Sequence, residues 1–152
     1  MSALHVLFKV GDAEYVLPSE EVQEMETFTG ATRIPGAALH VAGLVQIRGK
    51  VIPVIDLRAR FGLPPIERTL DSRVIVVTER EREVGLLADS AREILKIEEE
   101  KFGPPPDVVS EQASGFVNAI AQAGQRLVMR LDTSKVIGVD GIPEEKSDGK
   151  NA

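Results

Sequence analysis

Short aliphatic runs, each cut off by a polar or glycine turn, recur along this chain, and that rhythm limits what it can fold into. Leu4 to Val10 alternates around Val6, Phe8 and Val10, Gly11-Asp12 turns, and Glu14 to Leu17 resumes. Val41 to Ile47 and Val51 to Leu57 flank Arg48-Gly49-Lys50. Arg73 to Thr78 and Val84 to Ala88 flank a charged stretch, Glu79 to Glu83, and Ala91 to Ile97 continues it. Phe116 to Ala123 and Arg126 to Leu131 flank Gly124-Gln125. Runs of this length with turn residues between them predict successive antiparallel hairpins. Apolar residues make up 43% of the chain but aromatic residues only 4%, so the core must be aliphatic, and Val and Ile favour pleated strands. Nine or ten strands in 152 residues suit small barrels or a sandwich within one domain.

Helices are expected to be short. Pro18-Ser19 is expected to open one, with Ser19 as its cap, Val22 and Met25 on one face, and Glu20, Glu21 and Glu24 at its positive end. Arg58 to Phe61 reads as a single turn stopped by Gly62. Asp132 to Val136 reads as a closing helix capped by Asp132 or Thr133. Pro53 within the apolar run VIPVI predicts a sheet edge or a bulge, since it cannot donate to a ladder. The segment 139–152 is polar without apolar period and is expected to be a disordered tail.

The chemistry of catalysis is missing. With no cysteine, a disulfide, a thiolate nucleophile and a cysteine zinc site are all excluded. His5 and His40 lie far apart with no ligand-spaced partners, so no metal site is expected. Neither a dinucleotide nor a nucleotide-phosphate glycine motif is present, and Arg48-Gly49-Lys50 reads as a hairpin turn. Asp56 suits a strand-end catalytic acid or a helix cap, and the cap is the stronger reading; Asp89 ends a strand in the same way. The net charge of -6 disfavours nucleic acid and anionic membrane surfaces. No secretory signal and no spanning run is visible, which predicts a cytoplasmic protein without direct membrane insertion.

The run Gly43 to Gly62, GLVQIRGKVIPVIDLRARFG, resembles the hallmark of the CheW-like domains, adaptors of bacterial chemosensory arrays. FKVGDAEYVLPSEEVQEM resembles that family's first hairpin and short helix, and RVIVVTEREREVGLLADSAREIL its strand pair ending in V-G-x-x-V-D-x-V. FVNAIAQAGQRLVMRLDTSKVI resembles the closing hairpin and helix, so the likeness spans residues 4–138. The chain departs at Gln46, where asparagine is usual, at Ala88 and Ala91, where larger residues are usual, and at Ala119, where glycine is common.

The resemblance implies a mainly β fold of two SH3-like five-stranded β-barrels packed together, with short helices. It implies a scaffold without enzymatic activity or cofactor, coupling transmembrane chemoreceptors to a CheA-type histidine kinase. The implied partners are a helical receptor tip, docked between the barrels, and the kinase's regulatory domain; the implied location is at receptor arrays. An alternative is a divergent paralogue that binds receptor but not kinase and modulates signalling. Carried over by motif, the receptor-facing residues are Val22, Glu24, Met25, Gly43 and Arg48, with Val136 and Ile137 along the far wall of the groove. An apolar stripe at Val22 and Met25 suits a partner helix, Gly43 would permit close backbone approach, and Arg48 offers a planar fork to a carboxylate. For the kinase, the expected contacts are exposed apolar barrel edges, with no side chains singled out.

Overall fold

A computed structural model describes residues 3–106 and 115–138; the expected polar tail lies outside the described residues. Eleven strands and two short helices follow one another: β1 (Leu4–Val10), β2 (Ala13–Pro18), β3 (Val22–Thr27), β4 (Val41–Ile47), β5 (Lys50–Asp56), α1 (Leu57–Arg60), β6 (Arg73–Glu79), β7 (Arg82–Ala88), β8 (Ser90–Lys96), β9 (Phe102–Gly103), β10 (Val117–Ala123), β11 (Arg126–Leu131) and α2 (Thr133–Ile137). The mainly β class expected from the sequence is the one observed.

The strands form two sheets. Sheet one runs β8-β1-β2-β11-β10-β9 and sheet two runs β3-β6-β7-β5-β4. Sheet two is therefore a continuous middle stretch of the chain, and sheet one is assembled from both flanks of it. The hairpins are antiparallel, but two pairings join strands from different hairpins in parallel: β11 with β2, and β5 with β7.

Three apolar clusters explain why so many strands are apolar on both faces. Leu7, Val16, Ala121 and Val128 of sheet one cluster with Ile97, just past β8. Ile47, Ile52, Val54, Val74, Val76 and Leu87 form the corresponding cluster in sheet two. Between the sheets sits a larger shared core with Phe8, Tyr15, Leu17 and Leu131 from one side and Ile55, Ile75, Val77 and Leu86 from the other. In β6, Val74 and Val76 therefore face one core while Ile75 and Val77 face another, as the twofold period of a strand requires.

One local expectation is corrected and another is made specific. The stretch after Pro18 is a single 3-10 turn, Ser19–Glu21, without a side-chain cap, and Val22 onward is strand, not helix. Pairing with β6 supplies hydrogen bonds to every second backbone group there, and that outweighs the local helix-start signals. Pro53 lies in β5, an interior strand, but pairing with β7 begins only at Val54, so at Pro53 the strand is locally an edge. The ladder to β4 also carries a bulge at Ala42, close by.

Candidate interaction surface

The residues that the sequence marked for contact fall into two groups, some on the surface and some beneath it. Strand β3 carries the first group. A bulge between Val22 and Glu24 shifts the register, so Val22 pairs with Val77 and Met25 with Ile75. Directly paired residues share a face, so the bulge puts Val22 and Met25 on the same side although they are three apart. Val22 is half-buried against the shared core, and Met25 is exposed.

Glu24 points to the other side. Its Oε2 accepts a hydrogen bond from Arg48 Nη2 at 2.8 Å, which ties edge strand β3 to the turn after β4, the opposite edge strand of sheet two. The Glu24 side chain is 16% exposed and that of Arg48 is 68% exposed. The pair is therefore well solvated on one partner and worth at most about 1 kcal/mol in stability. Arg48 (φ 51°) and Gly49 (φ 80°) form the left-handed turn that a tight β-hairpin needs, confirming the hairpin reading.

Gly43 does not offer its backbone to a partner. Its φ is 141°, and an added Cβ would lie 2.2 Å from the Thr32 carbonyl oxygen. Thr32 and Leu44 exchange two backbone hydrogen bonds at 2.8 Å beside it. The space that the sequence reading reserved for a foreign helix is filled by the chain's own loop. Val136 and Ile137 are likewise corrected: both are fully buried in the shared core, so they support the surface from behind and line no groove.

Helix α2 is tied at both ends. Asp132 caps it by accepting from Lys135 N, as expected. Thr133 Oγ1 donates to Glu21 Oε1 at 2.9 Å, linking it to the turn just before β3. At the far end Arg60 Nε donates to the Val136 carbonyl at 2.7 Å and Arg60 Nη2 to the Lys135 carbonyl at 3.2 Å. The sequence reading missed Glu21 and Arg60 as tethers; Arg60 stood within the family-like motif, but nothing in the motif named its acceptors.

The two aspartates weighed as catalytic are engaged structurally. Asp56 caps α1 through Ala59 N at 3.2 Å, and its second oxygen accepts from Ile66 N at 2.9 Å. Asp89 caps no helix. It accepts from Gly11 N at 2.7 Å and from Arg58 Nε at 3.0 Å, pinning the β1–β2 turn to α1. An open depression of about 500 Å³ lies beside it, where Glu93 and Asp71 already pair with Arg126 and Arg92. Burial, and secondarily the Arg60 charge, push the His40 imidazole below its ordinary value. Among the described residues, no group of His, Asp and Glu could hold a metal ion. None of their helices is long and apolar enough to cross a membrane.

Paired sheets with a shared aliphatic core, an exposed edge strand, and Asp56 and Asp89 spent on a cap and a turn fit a scaffold that works by contact. A CheW-like domain model matches residues 4–140. The chain belongs to the CheW-like family, and it is a chemotaxis adaptor, not an enzyme. It is 31% identical over 132 residues to the chemotaxis protein CheW of Bacillus subtilis, covering 87% of this chain and 85% of that one. It is 32% identical over 127 residues to a probable chemotaxis protein CheW of Rhizobium etli, covering 84% and 82%. The crystal structure of the scaffolding protein TtCheW from Thermoanaerobacter tengcongensis superposes with a TM-score of 0.84 at 31% identity, covering 93% of this chain and 96% of that one.

Proposed function

We propose that this adaptor couples the helical cytoplasmic tip of a transmembrane chemoreceptor to the regulatory domain of a CheA-type histidine kinase, and that it does so in the cytoplasm at receptor arrays. The observation that carries the receptor half is exposed Met25 beside half-buried Val22 on edge strand β3, with the Glu24–Arg48 pair, 2.8 Å apart, on the other face of the same strand. An amphipathic partner helix would lay its apolar stripe on Val22 and Met25 and reach around the open edge of β3 with a carboxylate toward exposed Arg48. Binding would then extend an existing ion pair into a three-membered network, and desolvation by the partner would strengthen it. For the kinase, the exposed apolar residues away from β3 include Val51 on sheet two, Leu4, Ile94 and Leu127 on sheet one, and Leu39 and Leu70 between strands.

The test is titration of the purified chain with a receptor-tip fragment. Met25→Ala is expected to weaken binding about tenfold, as for a buried anchor, and Arg48→Ala to weaken it less and to steepen no salt dependence. Affinities within about twofold of wild type for both variants would remove the receptor assignment. In a reconstituted assay, kinase output should follow receptor state only when this chain is added.

A further inference from the structure

Among the described residues no ladder hydrogen bond joins the two sheets, because each strand belongs to one sheet or the other. The shared core between them is aliphatic in the main, and burial of this kind is non-directional. The angle between the sheets therefore depends on a few directional contacts. One is the Arg58–Asp89–Gly11 bridge on one side of α1. Another is the Arg92–Asp71 ion pair at 3.2 Å, from β8 to the approach to β6, and a third is Arg60, on the same helix as Arg58, reaching two carbonyls of α2.

Arg60 is an unusual cation. Among the described residues no carboxylate lies within ion-pair distance of it. Its hydrogen bonds go to backbone carbonyls at the end of α2, and its guanidinium carbon lies 4.8 Å above the Phe116 ring centre. Burial draws its guanidinium below the ordinary value. That ring ends a chain of aromatic contacts running Phe8–Tyr15–Phe61–Phe116, with centres 6.0, 5.3 and 5.6 Å apart. Three of the four belong to sheet one and its flanks, and Phe61 enters from α1, at the end of β5 in sheet two. The chain of rings crosses the junction, and Arg60 closes its outer end.

We propose that Arg60 is a positioning residue: by latching the end of α2 onto α1 it sets the angle between the two sheets, and with it the presentation of the β3 surface. The route to β3 is short. The other end of α2 is bonded through Thr133 to Glu21, which directly precedes Val22. A planar fork suits this task, since it reaches two carbonyls and a ring face at once, whereas an ammonium is a single point of attachment. The consequence for receptor binding rests on the reading of β3 given above; the latch itself does not.

The absence of cysteine makes the test clean. Val51→Cys on β5 and Leu127→Cys on β11, both exposed, place one spin label on each sheet. The full chain with wild-type Arg60 is expected to give one separation. Arg60→Gln is expected to enrich a second separation roughly tenfold, the shift for loss of a charge-assisted pair of hydrogen bonds. Arg60→Lys should fall between them, and it is read in the same way if Arg60→Gln does not fold. Distance distributions that superpose on wild type in a folded variant overturn the proposal, even if that variant melts earlier. If the wild-type chain binds no receptor fragment, the β3 reading fails while the distances still decide the latch. If it binds, Arg60→Gln should weaken binding about fivefold from a position off β3.

Discussion

At the scale of single residues, the same side chain type reads differently according to what fills the space around it. Gly43 was attractive as an open backbone, yet Thr32 occupies the place of its Cβ. Gly43→Ala must therefore break the Thr32–Leu44 bridge or distort β4, and a loss of roughly 2–3 kcal/mol is expected for the strain and two hydrogen bonds together. Chemical denaturation checks this, and a loss under about half a kcal/mol would mean the loop yields freely. Glu21 gives a prediction with a pH signature. Burial raises its carboxyl above the ordinary 4.5, opposed by the Thr133 hydrogen bond. The folded state then penalises the ionised form. That penalty is absent below pH 4.5 and grows as pH rises through the raised folded value. Glu21→Gln keeps an acceptor for Thr133 and cannot ionise, so its stability advantage over wild type should open as pH rises from about 4 to 7. A gap in urea midpoints that stays constant across that range would show that the carboxyl carries no such penalty. Both features were beyond local reading: the residues are visible in the sequence, but the neighbour that fills or buries each is supplied by a distant segment.

At the scale of elements, hairpins were legible and the strand without a hairpin was not. The pairs β1–β2, β4–β5, β6–β7 and β10–β11 carry their turn residues and their apolar periods within one short stretch. Strand β3 pairs with β6, far along the chain, while its own residues look like a helix start; only the partner decides its conformation. The helix α2 was read correctly because Asp132 caps it locally, but its tethers to Glu21 and Arg60 come from elsewhere. The turn of β6–β7 offers a test of local strain. Arg80 (φ 53°) and Glu81 (φ 67°) both stand in the left-handed region, where glycine and asparagine are preferred. The Glu79–Arg80 ion pair there, at 3.5 Å with Arg80 largely exposed, offsets little of that cost. Replacing the pair by Arg80→Asn with Glu81→Gly should stabilise the protein by about 1 kcal/mol. A raised urea midpoint at unchanged slope is the expected result, and an unaltered midpoint would mean the turn is relaxed as it stands. The turn at Arg48-Gly49 has the same geometry, but its arginine is held by Glu24 and is not free for such a change.

At the scale of the whole molecule, the sheets are distinct in hydrogen bonding but not in hydrophobic burial. Each sheet's own cluster is small: four buried residues of sheet one with Ile97 beside them, and six in sheet two. The largest cluster belongs to neither alone. Either sheet by itself would expose the apolar face it now gives to the shared core, with too little inner burial to offset the entropy of ordering. The chain path points the same way, since sheet one cannot form until segments from both sides of sheet two have met. A single cooperative unfolding transition is therefore expected, despite the two-sheet architecture. Ile75, fully buried at the centre of β6 and facing the shared core, is the position that tests it. Ile75→Ala should cost about 2–5 kcal/mol, the range for truncating a core aliphatic. Because the lost contact is common to both sheets, amide exchange in β1 and β2 should accelerate by the same factor as exchange in β6 and β7. Faster exchange confined to sheet two would mean that the sheets open separately. In that event an adaptor joining partners on opposite faces could not transmit a shift through its core, and its two contact surfaces would act independently.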